Sequence, residues 1–140
     1  MANSFLLKIV TPSHDVYEGM VQRVFLKNSD GEFEVLANHE NMITSTVPNI
    51  AKFIDENGEA FELFISTAIV NVVKGEVIIC SDAAEFAKDI DFERAEKAKK
   101  RAEEKMLSPD IFDKERVKLA LLRANERIKL KNKYKNLKQW

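Results

Sequence analysis

Four arginines are the first chemical suggestion in this sequence of 140 residues. Arg94 and Arg101 stand seven apart, and Arg123 and Arg127 four apart, in stretches rich in the strong helix formers Ala, Glu, Lys and Arg. At about 100° per residue, each pair falls on one edge of its helix. Beside them run apolar stripes: Ala95, Ala98, Ala102 and Met106 on the first helix, then Val117, Ala120, Leu121, Ala124 and Ile128 on the second. Packed through those stripes in an antiparallel hairpin, the two helices set four guanidinium groups beside one seam. Guanidinium prefers planar, bidentate oxygen partners such as phosphate. Like charges at this spacing repel by roughly a few tenths of a kcal/mol per pair unless an anion or carboxylate lies between them. The alternative is that the arginines pair with Glu93, Glu104 or Glu126, or extend into water.

Other chemistry is sparse. Glu85, Asp91 and His39 are the acid/base candidates, yet carboxylates beside a strand end and a helix start usually cap, and no nucleophile accompanies them. His14 and His39 have no second ligand at metal spacing, so no metal site is expected. No P-loop, dinucleotide fingerprint or nucleophile elbow is present. No turnover and no required cofactor are expected of the isolated chain. After Glu126 the charged residues are all basic: Arg127, Lys129, Lys131, Lys133, Lys135 and Lys138. Such a tail could make phosphate contacts with a nucleic acid, a rival reading of the whole chain. Against it, the N-terminal half is acidic, and Tyr134 and Trp140 are the tail's only aromatics.

The elements that position these groups divide the chain in two. Residues 1–88 carry 6 Lys+Arg against 13 Asp+Glu, a net of −7, and residues 89–140 carry 16 against 10, a net of +6. Hydrophobic period changes at the same place, which predicts two domains, 1–87 and 88–140. The first reads as short strands: residues 5–10 closed by Thr11-Pro12, 15–19 as a strand or turn, 21–26, and 32–36. Residues 37–42 read as a polar loop. Pairs of strands flank Asn57-Gly58 and Lys74-Gly75, two hairpin signals. Regular spacing of turns indicates an antiparallel sandwich or flattened barrel with most of the nine Phe in its core. Cys80, the single cysteine, lies in an apolar run and reads as buried. Asp91 is placed to cap a helix running to Leu107, and Asp113, after the break Ser108-Pro109-Asp110, to cap one reaching about Lys133. No apolar run approaches the roughly 18 residues of a membrane span, and no secretion signal is seen. A stripe of alanines buries little area, so this hairpin is expected to be weakly held.

The ordered set Val10-Thr11-Pro12, Val16-Tyr17-Glu18-Gly19, Gly31-Glu32-Phe33-Glu34-Val35-Leu36 with His39, Ala83-Ala84-Glu85, Asp89-Ile90-Asp91-Phe92-Glu93-Arg94-Ala95 and Arg123-Ala124-Asn125-Glu126-Arg127 resembles the epsilon subunits of bacterial F-type ATP synthases. The likeness covers nearly the whole chain. It implies an α+β fold: an N-terminal antiparallel β-sandwich of about ten strands followed by a two-helix antiparallel hairpin. It implies a rotor role in the central stalk, with the sandwich contacting the gamma subunit and the c-ring. The helical part would move between a folded place and one extended toward the alpha/beta subunits, where it hinders ATP hydrolysis. Association with the cytoplasmic face of the bacterial plasma membrane would be peripheral, through the complex alone. Members with Ile/Leu-Asp-x-x-Arg-Ala bind ATP as a regulatory ligand, and Ile90 to Ala95 fit that motif. Residue by residue, the resemblance assigns Glu85, Ile90, Asp91, Arg94, Ala95, Arg101, Arg123 and Arg127 to nucleotide contacts, and Lys129, Lys131, Lys133 and Lys135 to a regulatory basic helix. Three places depart from the family pattern. Ala37-Asn38-His39 stands for a Pro-Gly-His turn, Glu34 for a common glycine, and Ser66-Thr67-Ala68-Ile69 for a Ser-Gly-Gly-aromatic stretch.

Overall fold

The computed structural model of the chain describes residues 3–109 and 113–135. Asp110, Lys138 and Trp140, each named above, lie outside the described residues. The chain divides into two compact units, residues 1–85 and 86–140.

The first unit is built from strands β1 (Phe5–Val10), β2 (Asp15–Asn28), β3 (Gly31–Leu36), β4 (Met42–Ser45), β5 (Asn49–Asp55), β6 (Ala60–Ile65), β7 (Ala68–Val73), β8 (Glu76–Ser81) and β9 (Ala84–Phe86). Their order is β4-β7-β8-β1-β2-β5-β6-β9, with β3 also on β2. Nine strands among the described residues thus form the β-sandwich expected from the turn spacing. Alternation sets its faces: Phe5, Leu7 and Ile9 are buried in β1, and Val70 and Val72 in β7. One neighbouring pair is parallel, β1 with β8. The whole run β2 to β7 serves as the crossover that a parallel pair requires.

The expected strand or turn at 15–19 and the strand at 21–26 are one strand of 14 residues. Its first half pairs with β1 and its second half with both β3 and β5, and the register shifts against β5 between Val21 and Arg23. Gly19 belongs inside it for a local reason. A Cβ there would lie 2.6 Å from the Tyr17 hydroxyl, so the bare backbone leaves that ring its place. Tyr17 in turn packs on Phe53 at 4.4 Å between centroids, and Phe53 on Phe61 at 5.2 Å. Burial, reinforced by Asp55 and Glu56, pushes the Tyr17 hydroxyl above its ordinary range. Phe5, Phe53 and Phe64 are fully enclosed, whereas Phe25, Phe33 and Phe61 are half-buried.

The turns follow side-chain chemistry. Val73 pairs with Glu76 across Lys74-Gly75, where Gly75 alone takes positive φ (77°). Asn57-Gly58 does not make the two-residue turn its composition suggests. The last pair is Ile54 with Ala60, because the Asp55 carboxylate accepts the N–H groups of Asn57 and Glu59, both at 2.9 Å, and organises a wider loop. Asn38, standing where the family pattern has glycine, adopts φ 68°. Asparagine is among the few residues that tolerate this region. Glu34 lies in β3 without positive φ, its carboxylate 3.3 Å from Arg23. The loop expected over 37–42 ends one residue early, since Met42 starts β4. Ala68 is locked to Thr46 by N–H donation in both directions, at 2.9 and 3.1 Å. Cys80 is exposed on β8 rather than buried: the apolar run alternates, and Cys80 falls on the outer face.

The second unit holds a short 3-10 turn (Ala87–Asp89), α1 (Phe92–Leu107) and α2 (Lys114–Lys133). Asp91 and Asp113 cap the helices as expected, accepting the N–H groups of Arg94 at 3.0 Å and Arg116 at 3.3 Å. Both ends of α2 are pinned to chain that flanks α1. Lys114 donates to the carbonyls of Lys105 (2.8 Å) and Ser108 (3.0 Å), satisfying acceptors that the end of α1 leaves open. Lys131 donates to the Ala87 carbonyl at 2.8 Å. The helices therefore run antiparallel. Their seam is thin: Ala95 and Ala102 are buried on α1, and Val117, Ala124 and Leu130 on α2. No helix among the described residues is long and apolar enough to cross a membrane.

Candidate functional site: a cationic groove in the helical hairpin

Small seam residues leave an open groove of about 450 Å³ on one edge of the hairpin. This is within the range of roughly 300–1,000 Å³ typical of small-molecule sites. Its charged lining is Arg101 and Lys105 from α1, Arg116 and Arg123 from α2, and Asp113 at the cap of α2. Its apolar floor is Ala98, Ala102, Val117 and Ala120. Ala98, expected in the seam, is exposed and faces this opening instead. Among the described residues, four cations and one carboxylate line it.

Two of the neighbouring glutamates are engaged with lysines on the outer helix surface. Glu93 pairs with Lys97 at 3.7 Å, and Glu115 with Lys118 at 3.5 Å, both on exposed helix surface. Among the described residues, Arg94, Arg101, Arg116 and Arg123 form no ion pair. For Arg94, Arg101 and Arg123 pairing with glutamate is thus the weaker alternative, while extension into water stays open beside an anion. A half-exposed cluster of this kind attracts an anion with several oxygens.

The eight positions assigned to nucleotide contacts are distributed unevenly. Arg101 and Arg123 line the groove. Arg94 lies about two turns from Arg101 toward the start of α1, and Arg127 about one turn from Arg123 toward the end of α2; neither is among the lining residues. Ile90 and Ala95 are buried, so only their backbone or an apolar wall is available to a ligand. Asp91 is engaged as a cap, and Glu85 lies in β9, in the first unit. Of the basic helix, Lys129, Lys133 and Lys135 are exposed, whereas Lys131 is turned inward onto Ala87. Lys105 and Arg116 went unnoticed in the sequence although the signal was there. Lys105 follows Arg101 by four residues, and Arg116 precedes Arg123 by seven, both same-edge spacings. Among the described residues, no cluster of three or more His, Cys, Asp or Glu is arranged to hold a metal.

The cap geometry yields a first prediction. Asp91→Ala should destabilise α1 by about 1 kcal/mol through loss of the bond to the Arg94 N–H. Loss of helical circular dichroism on heating would record it. Asp91→Asn, which retains a capping oxygen, should restore most of that stability. If both variants melt like the parent, the side chain is not serving as a cap.

Comparison with known proteins gives a consistent outcome over both units. The family model for the ATP synthase delta/epsilon chain, beta-sandwich domain, matches residues 4–87. That for the ATP synthase delta/epsilon chain, long alpha-helix domain, matches residues 88–132. An ATP synthase epsilon chain of Clostridium botulinum (strain Eklund 17B / Type B) is 53% identical over 131 residues, covering 94% of this chain and 98% of that one. The Clostridium novyi (strain NT) ATP synthase epsilon chain is 44% identical over 130 residues, covering 93% and 99%. Among solved structures, a chain of the Euglena gracilis mitochondrial ATP synthase (OSCP/F1/c-ring, rotational state 1) superposes with a TM-score of 0.78 at 25% identity, covering 90% of this chain and 80% of that one. A chain from the central stalk/c-ring structure of Tetrahymena thermophila mitochondrial ATP synthase reaches 0.58 at 14% identity, which speaks for the fold alone.

Proposed function

Because the chain belongs to the ATP synthase delta/epsilon family, we propose that it is a non-catalytic rotor subunit whose helical hairpin restrains ATP hydrolysis and is itself held down by ATP. In this reading the sandwich binds the gamma subunit and the c-ring, and the hairpin reaches the alpha/beta subunits when released. The protein then resides peripherally at the cytoplasmic face of the bacterial plasma membrane, through the complex. The observation that carries the nucleotide part is the groove whose guanidinium groups form no ion pair among the described residues, set in a hairpin with a thin alanine seam. Few buried contacts separate the seated and released states, so a modest differential affinity is enough to move the balance between them. Phosphate oxygens supply it: they meet Arg101 and Arg123 only while the two helices lie side by side.

Two measurements test this. Equilibrium dialysis of the full chain against millimolar ATP should retain nucleotide. In the assembled complex, removing residues 88–140 should raise ATP hydrolysis at low ATP and abolish its dependence on prior nucleotide exposure. Unchanged hydrolysis after truncation would refute the regulatory role. Absence of retained ATP would refute only the sensor.

A further inference from the structure

Lys131 stands where the hairpin otherwise places small apolar residues. Val117, Ala124 and Lys131 recur at intervals of seven, and all three are buried on α2. Lys129 and Lys133, two residues to either side, are exposed. We propose that Lys131 is a releasable latch. Its ammonium, by donating to the Ala87 carbonyl, holds the last turn of α2 against the 3-10 turn that precedes α1, and so governs how readily the two helices part. The inference deepens the regulatory reading of the hairpin and rests on it only for the effect in the assembled complex.

The place of the bond comes first. It is buried, 2.8 Å long, and joins residues 44 apart in sequence, both within the second unit, so it closes the open end of the hairpin. The opposite end is held by the connection between the helices, where Lys114 donates to the carbonyls of Lys105 and Ser108. Separation therefore begins at the final turn of α2, the part of a helix that frays first, and that is where Lys131 sits. The chemistry on both sides of the bond suits release. The Ala87 carbonyl also accepts the Ile90 N–H at 3.2 Å, so it keeps a partner when the lysine leaves. The ammonium surrenders hydration while buried and regains it on swinging out. An aliphatic side chain here would bury more favourably and resist opening. Lysine instead closes the seam with a charge-assisted bond and is well solvated once free. A polar group at a seam position also fixes the alignment of the helices, at some cost in stability.

Amide hydrogen exchange on the full chain reads the latch directly. Lys131→Met keeps an unbranched stem and removes the donor. Exchange over residues 124–133 should quicken by about tenfold or more, the loss expected of one charge-assisted bond, while the sandwich strands exchange as in the parent. Lys129→Met, an equal change of charge at an exposed site, should stay within about twofold. In the assembled complex, Lys131→Met should need more ATP than the parent to relieve inhibition of hydrolysis, and Lys129→Met should not. Protection of α2 unchanged in Lys131→Met, or lost equally in Lys129→Met, overturns the latch and leaves the regulatory reading standing. Exchange quickened alike in sandwich and hairpin marks a general loss of stability and overturns it too. Inhibition weakened by Lys131→Met would mean that the residue acts as a charge toward a partner, which also overturns the latch. Quickened exchange confined to α2, with hydrolysis unaltered at every ATP level, supports the latch and overturns its regulatory consequence.

Discussion

Phe53→Ala is expected to destabilise the sandwich by about 3–5 kcal/mol, the largest single-site effect on stability in the first unit. Phe53 has no exposed surface and touches aromatic rings on two sides, Tyr17 from β2 and Phe61 from β6. Removing the ring deletes apolar burial and leaves a cavity whose walls are tied into three paired strands, so little of it can collapse. Domains of this size are stable by about 5–15 kcal/mol in total, and the loss is a large part of that. Urea denaturation should show a lower midpoint with an unchanged slope. Phe53→Leu should recover more than half. A midpoint within experimental error of the parent for Phe53→Ala would mean that the ring is not part of the core, contrary to its packing.

Much of this core was legible from alternation alone. Leu7 and Ile9 in β1, and Val70 and Val72 in β7, occupy the positions that a period of two assigns to the inside. Where the pattern misled, a non-local partner or a side chain decided. Asp15–Gly19, a strand or turn by its sequence, looks separate from Val21–Leu26 because Glu18 and Gly19 interrupt the hydrophobic run. They form one strand because β1 and β5 pair along its length. The wide loop at Asn57-Gly58 depends on Asp55, a residue with no special standing in a turn code read two residues at a time. Cys80 is outside because its run of apolar residues alternates between two faces, a property invisible to composition.

The site was half legible. Helical projection found Arg101 and Arg123 on one seam because that requires only a period and a stripe. It did not find that Ala98 would open to solvent, since the width of the gap depends on how closely Ala102 and Val117 approach. Lys105 and Arg116 were masked by the ordinary reading of a charged helix as solvated surface. Lys131 went the other way, from a member of a basic face to a buried donor. Its long stem is buried while the ammonium reaches the Ala87 carbonyl, a compromise that charge counting overlooks.

Arg101→Gln/Arg123→Gln should weaken ATP binding by about a hundredfold, the largest functional effect expected of a surface substitution here. Each guanidinium donates charge-assisted bonds of about 1.5–3 kcal/mol when well oriented, and partial exposure reduces the pair to about 3 kcal/mol together. The consequence for the hairpin follows by mass action. ATP at a hundredfold excess over its dissociation constant favours the seated form by about 2.7 kcal/mol, and after the substitution by about 0.4 kcal/mol. A balance of a few kcal/mol would then tip toward release at nucleotide levels that hold the parent seated. In the assembled complex, inhibition of hydrolysis should persist at ATP concentrations that relieve it in the parent. Arg101→Lys/Arg123→Lys keeps the charge and loses the planar fork, so it should fall between, about tenfold weaker than the parent. If the lysine and glutamine pairs are equally impaired, recognition depends on the fork. If the lysine pair matches the parent, charge alone holds the phosphates. If neither pair changes ATP affinity, the nucleotide does not use this groove, and the hairpin must be governed by contacts outside it.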